Sequence, residues 1–201
     1  MHPQSPCIEE SIVLYLQVNK MTFSEKINTI DQIFTAQKDR INSPADLRKI
    51  IEQFTFDAEE MAEHLLFPED LPYGRKCAFR SKNFEVIVMN WKPGKCSNIH
   101  NHGNSFGCVY SVTGKANNVL YNESLEILDT IPLINNTIAE VPKGIYHVIE
   151  NKTDEYAVSL HFYAPPMCGM KVIDAQDKSR SYFVKNEVGA WNPKPEEVES
   201  F

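Results

Sequence analysis

Two periodicities divide the chain. From about Thr22 to Leu66 apolar residues recur at helical spacing: Ile27, Ile30, Ile33 and Phe34 form one run, and Leu47, Ile50, Ile51 and Phe54 the next. The second run opens on Ser43-Pro44-Ala45-Asp46, which reads as an N-cap serine, a proline at the first helical position and an acid in the first turn. The same pattern from Asp57 to Leu66 predicts a third, short helix. These elements are expected to pack as a cap. Beyond Phe67-Pro68-Glu69-Asp70-Leu71-Pro72 the period falls to two. FEVIVMNW (Phe84 to Trp91), SFGCVYSV (Ser105 to Val112), ANNVLY, SLEILDT, TIAEVP, YHVIEN and YAVSLHFYAPP form a train of strands separated by Gly, Pro, Asn and Asp. Strands repeating at about ten residues predict a sandwich or barrel.

Composition limits what such a fold is for. With 201 residues, 42% apolar and 23% charged, the chain is expected to form one domain over 1–201, a helical cap over about 22–66 and a barrel over about 73–185. The net charge of −7 and pI near 5.4 speak against nucleic acid or an anionic membrane as partner. No apolar run approaches the roughly 18 residues of a membrane span, and MHPQSPCIEESIVLYL lacks a basic region followed by an apolar stretch and a cleavage site. A cytoplasmic monomer is expected. The five cysteines, Cys7, Cys77, Cys96, Cys108 and Cys168, are odd in number and contain no CxxC pair, so free thiols are expected rather than disulfides or a cysteine zinc site. The tail WNPKPEEVESF is expected to be loose.

The six histidines carry more. Gly94-Lys-Cys-Ser-Asn-Ile-His100-Asn-His102 puts two imidazoles at i and i+2 of a predicted strand, on one face and about 6.5 to 7 Å apart at Cα. Both rings can then converge on one metal at about 2.1 Å. A third, His147, follows 45 residues after His102, where Pro142 and Gly144 build a tight turn and His147 opens the next strand. Three imidazoles arranged facially leave the opposite positions of an octahedron open, which is the arrangement of a chemical rather than a structural site. An isolated HxH is weak, because histidine is often a satisfied polar residue of a core. His64 in the cap and His2 in the tail are assigned no role.

The spacing around these histidines resembles the cupin superfamily. Gly94, five residues, His100-x-His102, eleven residues and Gly114 match its first motif, and Pro142-x-Gly144-x-x-His147-x-x-x-Asn151 its second. Many cupins place a glutamate ligand five residues after the second histidine, where this chain has Gly107. Three neutral ligands leave a ferrous ion its +2 charge, which favours an anionic substrate ligand, a thiolate above all, and leaves room for a chelating substrate and dioxygen.

Within the cupins the chain resembles the cysteine dioxygenase family. Three motifs carry the resemblance: Ser97-Asn98-Ile99-His100-Asn101-His102, His147-x-x-Glu150-Asn151, and Ser159-Leu160-His161-Phe162-Tyr163-Ala164-Pro165-Pro166. It implies a mainly β fold, a cupin (double-stranded β-helix, jelly-roll) barrel with a small N-terminal α-helical cap. It also implies one Fe(II) per chain on His100, His102 and His147, and O₂ as co-substrate. The activity implied is oxidation of L-cysteine to cysteine sulfinic acid, a step of cysteine catabolism toward taurine. Ser159, His161 and Tyr163 alternate along one strand and face one side. The family gives Tyr163 a place beside substrate and oxygen, with His161 holding its hydroxyl and Ser159 holding the imidazole. It also makes Ala164-Pro165 a candidate cis peptide.

Substrate choice rests on Tyr73-Gly74-Arg75. Arg75, 25 residues before His100, can present its planar fork to a carboxylate. The resemblance gives it the cysteine carboxylate, with Tyr73 lining the same pocket; Arg80 is the competitor. Many family members join a pocket cysteine to the active-site tyrosine, and Gly107 stands at the cysteine's position. Cys108 is adjacent, but consecutive strand side chains face opposite sides, so no crosslink to Tyr163 is expected unless Gly107 is bulged. Other readings of the same residues are a dioxygenase of 3-mercaptopropionate or cysteamine, a non-catalytic metal-binding cupin, and a storage or isomerase-type cupin using another divalent metal. Three imidazoles also accept Zn, Ni or Co.

Overall fold

The computed structural model describes residues 20–185, 189–191 and 198; His2, Cys7 and nearly all of the tail lie outside them. The cap begins with helix α1 (Phe23–Gln37), started by a reciprocal capping box in which Thr22 accepts from Glu25 N–H and the Glu25 carboxylate accepts from Thr22 N–H. Helix α2 (Pro44–Ile51) starts as its sequence predicts, with the Ser43 hydroxyl accepting from Asp46 N–H and Pro44 in the first turn. The third helix expected over Asp57–Leu66 does not form. Only Ala62–His64 makes a 3₁₀ turn, because Asp57 and Glu60 spend their carboxylates on loop N–H groups and on Lys26. Among the described residues no helix is long and apolar enough to cross a membrane.

Eleven strands follow among the described residues: β1 (Tyr73–Arg80), β2 (Glu85–Trp91), β3 (His100–Asn101), β4 (Phe106–Thr113), β5 (Ala116–Tyr121), β6 (Ile127–Leu133), β7 (Ile138–Val141), β8 (Tyr146–Glu150), β9 (Ala157–Ala164), β10 (Met170–Ile173) and β11 (Ser181–Val184). They pair antiparallel into a five-stranded sheet, β1-β2-β9-β4-β7, and a six-stranded sheet, β11-β10-β3-β8-β5-β6. The SLEILDT strand is displaced toward the C-terminus, and β1, β10 and β11, which lack clean alternation, complete the sheets.

β2 and β9 are buried along their whole length because their sheet has a covered surface on each side. Val86, Val88, Leu160 and Phe162 pack with the cap helices, whereas Ile87, Met89, Trp91 and Tyr163 belong to the core between the sheets. Cap docking is sealed by Tyr110, whose hydroxyl accepts from the Phe56 backbone N–H at 3.4 Å, and by the Cys108 thiol, 3.3 Å from the Pro44 carbonyl.

Candidate metal centre and substrate pocket

The three histidines come together on the six-stranded sheet. β3 is only two residues long, so His102 lies just past its end rather than on the strand predicted for it, and His147 is the second residue of β8 rather than its first. Cross-strand pairing sets His100 directly opposite His147. β8 is reached through the turn whose Ile145 N–H donates to the Pro142 carbonyl, with Gly144 at φ +79° as a type II turn requires. His147 Nε2 lies 3.1 Å from His100 Nε2 and 3.3 Å from His102 Nε2, and all three rings are buried.

Their protonation follows from their outer partners. The carbonyl of Asn98 can only accept, so His100 Nδ1, 2.9 Å away, carries the proton and Nε2 presents its lone pair. His147 Nδ1 donates likewise to Asn118 Oδ1 at 2.7 Å. His102 Nδ1 is buried with no protein partner. Burial lowers all three pKa values, His100 to about 4 and the other two well below the ordinary range. Neutral His100 and His147, each with its proton on Nδ1, therefore aim lone pairs at one another at hydrogen-bond distance, an arrangement that repels unless a cation lies between them. Metal–nitrogen bonds of about 2.1 Å place adjacent ligand atoms about 3.0 to 3.4 Å apart, so these residues fit a divalent metal.

Across the lumen, β9 supplies a hydrogen-bonded row. Tyr163 Oη is 2.9 Å from His161 Nδ1, and His161 Nε2 is 2.9 Å from Ser159 Oγ. Trp91 extends the row: its Nε1–H donates to Ser159 Oγ at 2.9 Å. An indole N–H can only donate, so Ser159 Oγ accepts there and its own proton is free to run toward His161, which gives one direction along the row. Ser159 passes its proton toward His161 Nε2, His161 Nδ1–H donates to the Tyr163 oxygen, and the Tyr163 O–H remains to donate into the pocket. His161 is held neutral, its pKa lowered to about 3 chiefly by burial, with the Arg75 guanidinium adding to it. The Tyr163 ring lies 4.3 Å, centroid to centroid, from His102, and burial raises its hydroxyl pKa so that it keeps its proton.

A narrow cavity joins the two sides, lined by Arg75, Tyr73, His100, His161 and Tyr163, with no acidic residue among the described residues of its wall. Arg75 lies on β1, and its Nη2 is buried without a protein partner. Arg80 is engaged elsewhere, on Glu85. Tyr73 is fully buried against Trp91 at 4.5 Å. Gly74 allows β1 this position, since a methyl group there would meet the Leu66 carbonyl oxygen at 1.8 Å. Pairing of β4 with β9 runs without a register shift through Gly107 and Cys108, and the Cys108 sulfur points to the cap while Tyr163 faces the lumen. A methyl group at Gly107 would meet Tyr163 Cδ1 at 2.7 Å, so glycine gives the phenol ring its place. Ala164-Pro165 is cis.

Sequence reasoning missed Asn118, the Trp91 donor, and Met89, Met167 and Met170 in the pocket wall. Asn118 carried a weak signal, a polar residue at an inward position of β5. The methionines carried none.

Two facing antiparallel sheets with three convergent histidines between them define a cupin with a candidate metal site. The family described as cysteine dioxygenase type I matches residues 15–176, and the chain belongs to that family. Cysteine dioxygenase type 1 of Homo sapiens is 28% identical over 155 residues, 72% of this chain and 75% of the human protein. The Danio rerio cysteine dioxygenase type 1 is 24% identical over 163 residues, covering 76% and 79%. A solved structure of a double-stranded β-helix protein from Klebsiella pneumoniae overlays 55% of this chain and 90% of its own, at 20% identity and a TM-score of 0.48.

Proposed function

We propose that the protein oxidises the thiol of L-cysteine with O₂ to the sulfinate, using one Fe(II) held by His100, His102 and His147. The observation that carries this reading is the Arg75 guanidinium, whose Nη2 is buried without a protein partner in the narrow cavity that His100 also lines, with no acid among the described residues of that wall. A buried guanidinium nitrogen without a partner calls for an anionic one, and a planar fork calls for a carboxylate. Small thiols without a carboxylate leave that cost in place.

When bound, the iron supplies a site that lowers the thiol pKa and activates dioxygen. The protein does the rest. Arg75 holds the carboxylate and so fixes how far the sulfur reaches toward the histidines. Tyr73 and the apolar wall exclude water, which strengthens every polar contact inside. The Tyr163 O–H, aimed by His161, Ser159 and Trp91, donates a hydrogen bond where negative charge develops as the sulfur is oxidised. Because the donor is oriented beforehand, little reorganisation is needed during reaction. The test is oxygen uptake by ferrous-loaded protein with L-cysteine, 3-mercaptopropionate and cysteamine. L-Cysteine is expected to be preferred, with sulfinate as product; preference for 3-mercaptopropionate would move the assignment to the other carboxylated thiol, and no uptake with any of them would overturn it.

A further inference from the structure

Among the described residues, Glu85 is the one fully buried carboxylate beside the pocket that the proposed chemistry leaves unused. It begins β2 on the same face as Ile87, Met89 and Trp91, so it points toward the lumen, and across the ladder it is paired with Tyr163. Its two oxygens are divided. Oε2 accepts from Arg80 Nε at 2.9 Å and from Arg80 Nη2, whereas Oε1 accepts from the backbone N–H of Met167 at 2.8 Å. Arg80 lies opposite Glu85 on β1 with its side chain 46% exposed, so the pair spans from solvent to the core.

Met167 belongs to the segment that leaves β9 through Pro165 and Pro166. Its side chain is buried and lines the cavity that also contains Arg75 and Tyr163. Neither proline has an N–H, so the turn has few backbone donors with which to anchor itself. Glu85 supplies an acceptor for the first N–H that follows them.

We propose that Glu85, neutralised by Arg80, is the positioning residue for the Met167 wall and thereby sets how closely the pocket fits its thiol. The inference rests on the pocket's being the thiol site. Glu85 touches no reacting atom. It acts through one backbone hydrogen bond, so its loss loosens substrate fit rather than the chemistry. Losing a buried charged acceptor of this kind costs about tenfold or more in the property it supports.

The test compares wild-type protein with Glu85→Ala, Glu85→Gln and the double variant Arg80→Met/Glu85→Leu, which removes both charges and keeps apolar volume if the alanine variant does not fold. Hydrogen exchange over residues 164–168 reads the bond without reference to activity. Protection should fall about tenfold in Glu85→Ala and in the double variant, and stay within about threefold in Glu85→Gln, whose Oε1 still accepts. In oxygen uptake, Glu85→Ala and the double variant should raise KM for L-cysteine about tenfold with kcat within about twofold. They should also narrow the preference for L-cysteine over its β,β-dimethyl analogue, while Glu85→Gln stays close to wild type. Equal behaviour of Ala and Gln, unchanged exchange, or a fall in kcat at constant KM overturns the inference. Lack of uptake by the wild-type enzyme with any carboxylated thiol overturns the functional reading instead and leaves the exchange result to decide the Glu85 bond.

Discussion

The two sheets divide the site between them, and they do so with different materials. The six-stranded sheet carries the three convergent histidines on short elements: a two-residue strand, the residue just past it, and the start of β8, with His100 held by the Asn98 carbonyl and His147 by the Asn118 amide. The five-stranded sheet carries Arg75, Trp91, Ser159, His161 and Tyr163 on long strands, of which β2 and β9 are buried on both faces. Metal ligands need convergence, which loops and strand ends can supply because the ion itself completes the geometry. A hydrogen-bonded row ending at a substrate has no such organiser, so its precision comes from the strand repeat and from packing on both sides. The difference implies that each half can be damaged without the other.

The strongest test of that division is His147→Ala. Removing the ligand that faces both other rings should abolish stoichiometric iron binding and reduce oxygen uptake at least about a thousandfold, checked by metal analysis of the purified protein. Arg75→Gln should act on the other half alone. Iron content should remain at the wild-type level while kcat/KM for L-cysteine falls about a hundredfold, mostly through KM, as expected for a lost buried carboxylate pair of about 3 kcal/mol. An Arg75 variant that lost its iron would break the division. Asn118→Ala should have no larger effect than Arg75→Gln: with His147 Nδ1 released, metal affinity should fall by about ten to a hundredfold in competition with a chelator.

Much of this was legible in the sequence, for reasons that differ by residue. The histidines stood out because a two-residue spacing on a strand and a Pro-x-Gly turn before His147 are local signals of convergence. Ser159, His161 and Tyr163 were legible because alternation is a strand property, and β9 keeps it for eight residues. The third cap helix failed because helical periodicity over Asp57–Leu66 competed with local carboxylate–backbone bonds, which sequence spacing does not weigh. β1 and β11 lack clean alternation because they are edge strands with mixed burial. Trp91 stood only as the last residue of a predicted strand, since its donor role depends on its partner strand, and Arg75, favoured over Arg80 by its Tyr-x-Arg context and its distance from His100, gains support from Glu85 holding Arg80.

Acid should also distinguish the halves. His100, with its pKa lowered to about 4, and His161, lowered to about 3, are both buried neutral rings against an unfolded value of 6.5. Above pH 6.5 neither state of either ring is protonated and no stability is lost. As the pH falls below 6.5 the unfolded chain takes up protons that the folded chain refuses, so stability declines toward pH 4. At pH 5 each ring should cost the metal-free protein ~2 kcal/mol, measured by denaturant unfolding at pH 7.5 and 5. Iron loading protects the lone pair of His100 but not that of His161, so the loaded protein should retain the His161 part of the slope while the metal stays bound. An apoprotein equally stable at both pH values would show that the folded rings accept protons.

The smallest effect is expected from Trp91→Phe, and it tests whether the five-stranded half works as a directed row rather than as four separate side chains. Phenylalanine keeps most of the ring volume between Tyr73 and His161 but removes the donor to Ser159 Oγ. The serine hydroxyl can then turn away from His161, the imidazole is no longer held to one tautomer, and the Tyr163 proton loses its bias toward the pocket. One neutral hydrogen bond of ~1 kcal/mol corresponds to about a fivefold loss, and it should appear in kcat rather than in KM, because Arg75 and the carboxylate are untouched. Iron content and thiol affinity should remain at wild-type values. In a Trp91→Phe/Ser159→Ala double variant the loss should be no greater than for Ser159→Ala alone, since the tryptophan acts only through that hydroxyl. Additive losses would mean that Trp91 contributes by packing, and the row would begin at Ser159.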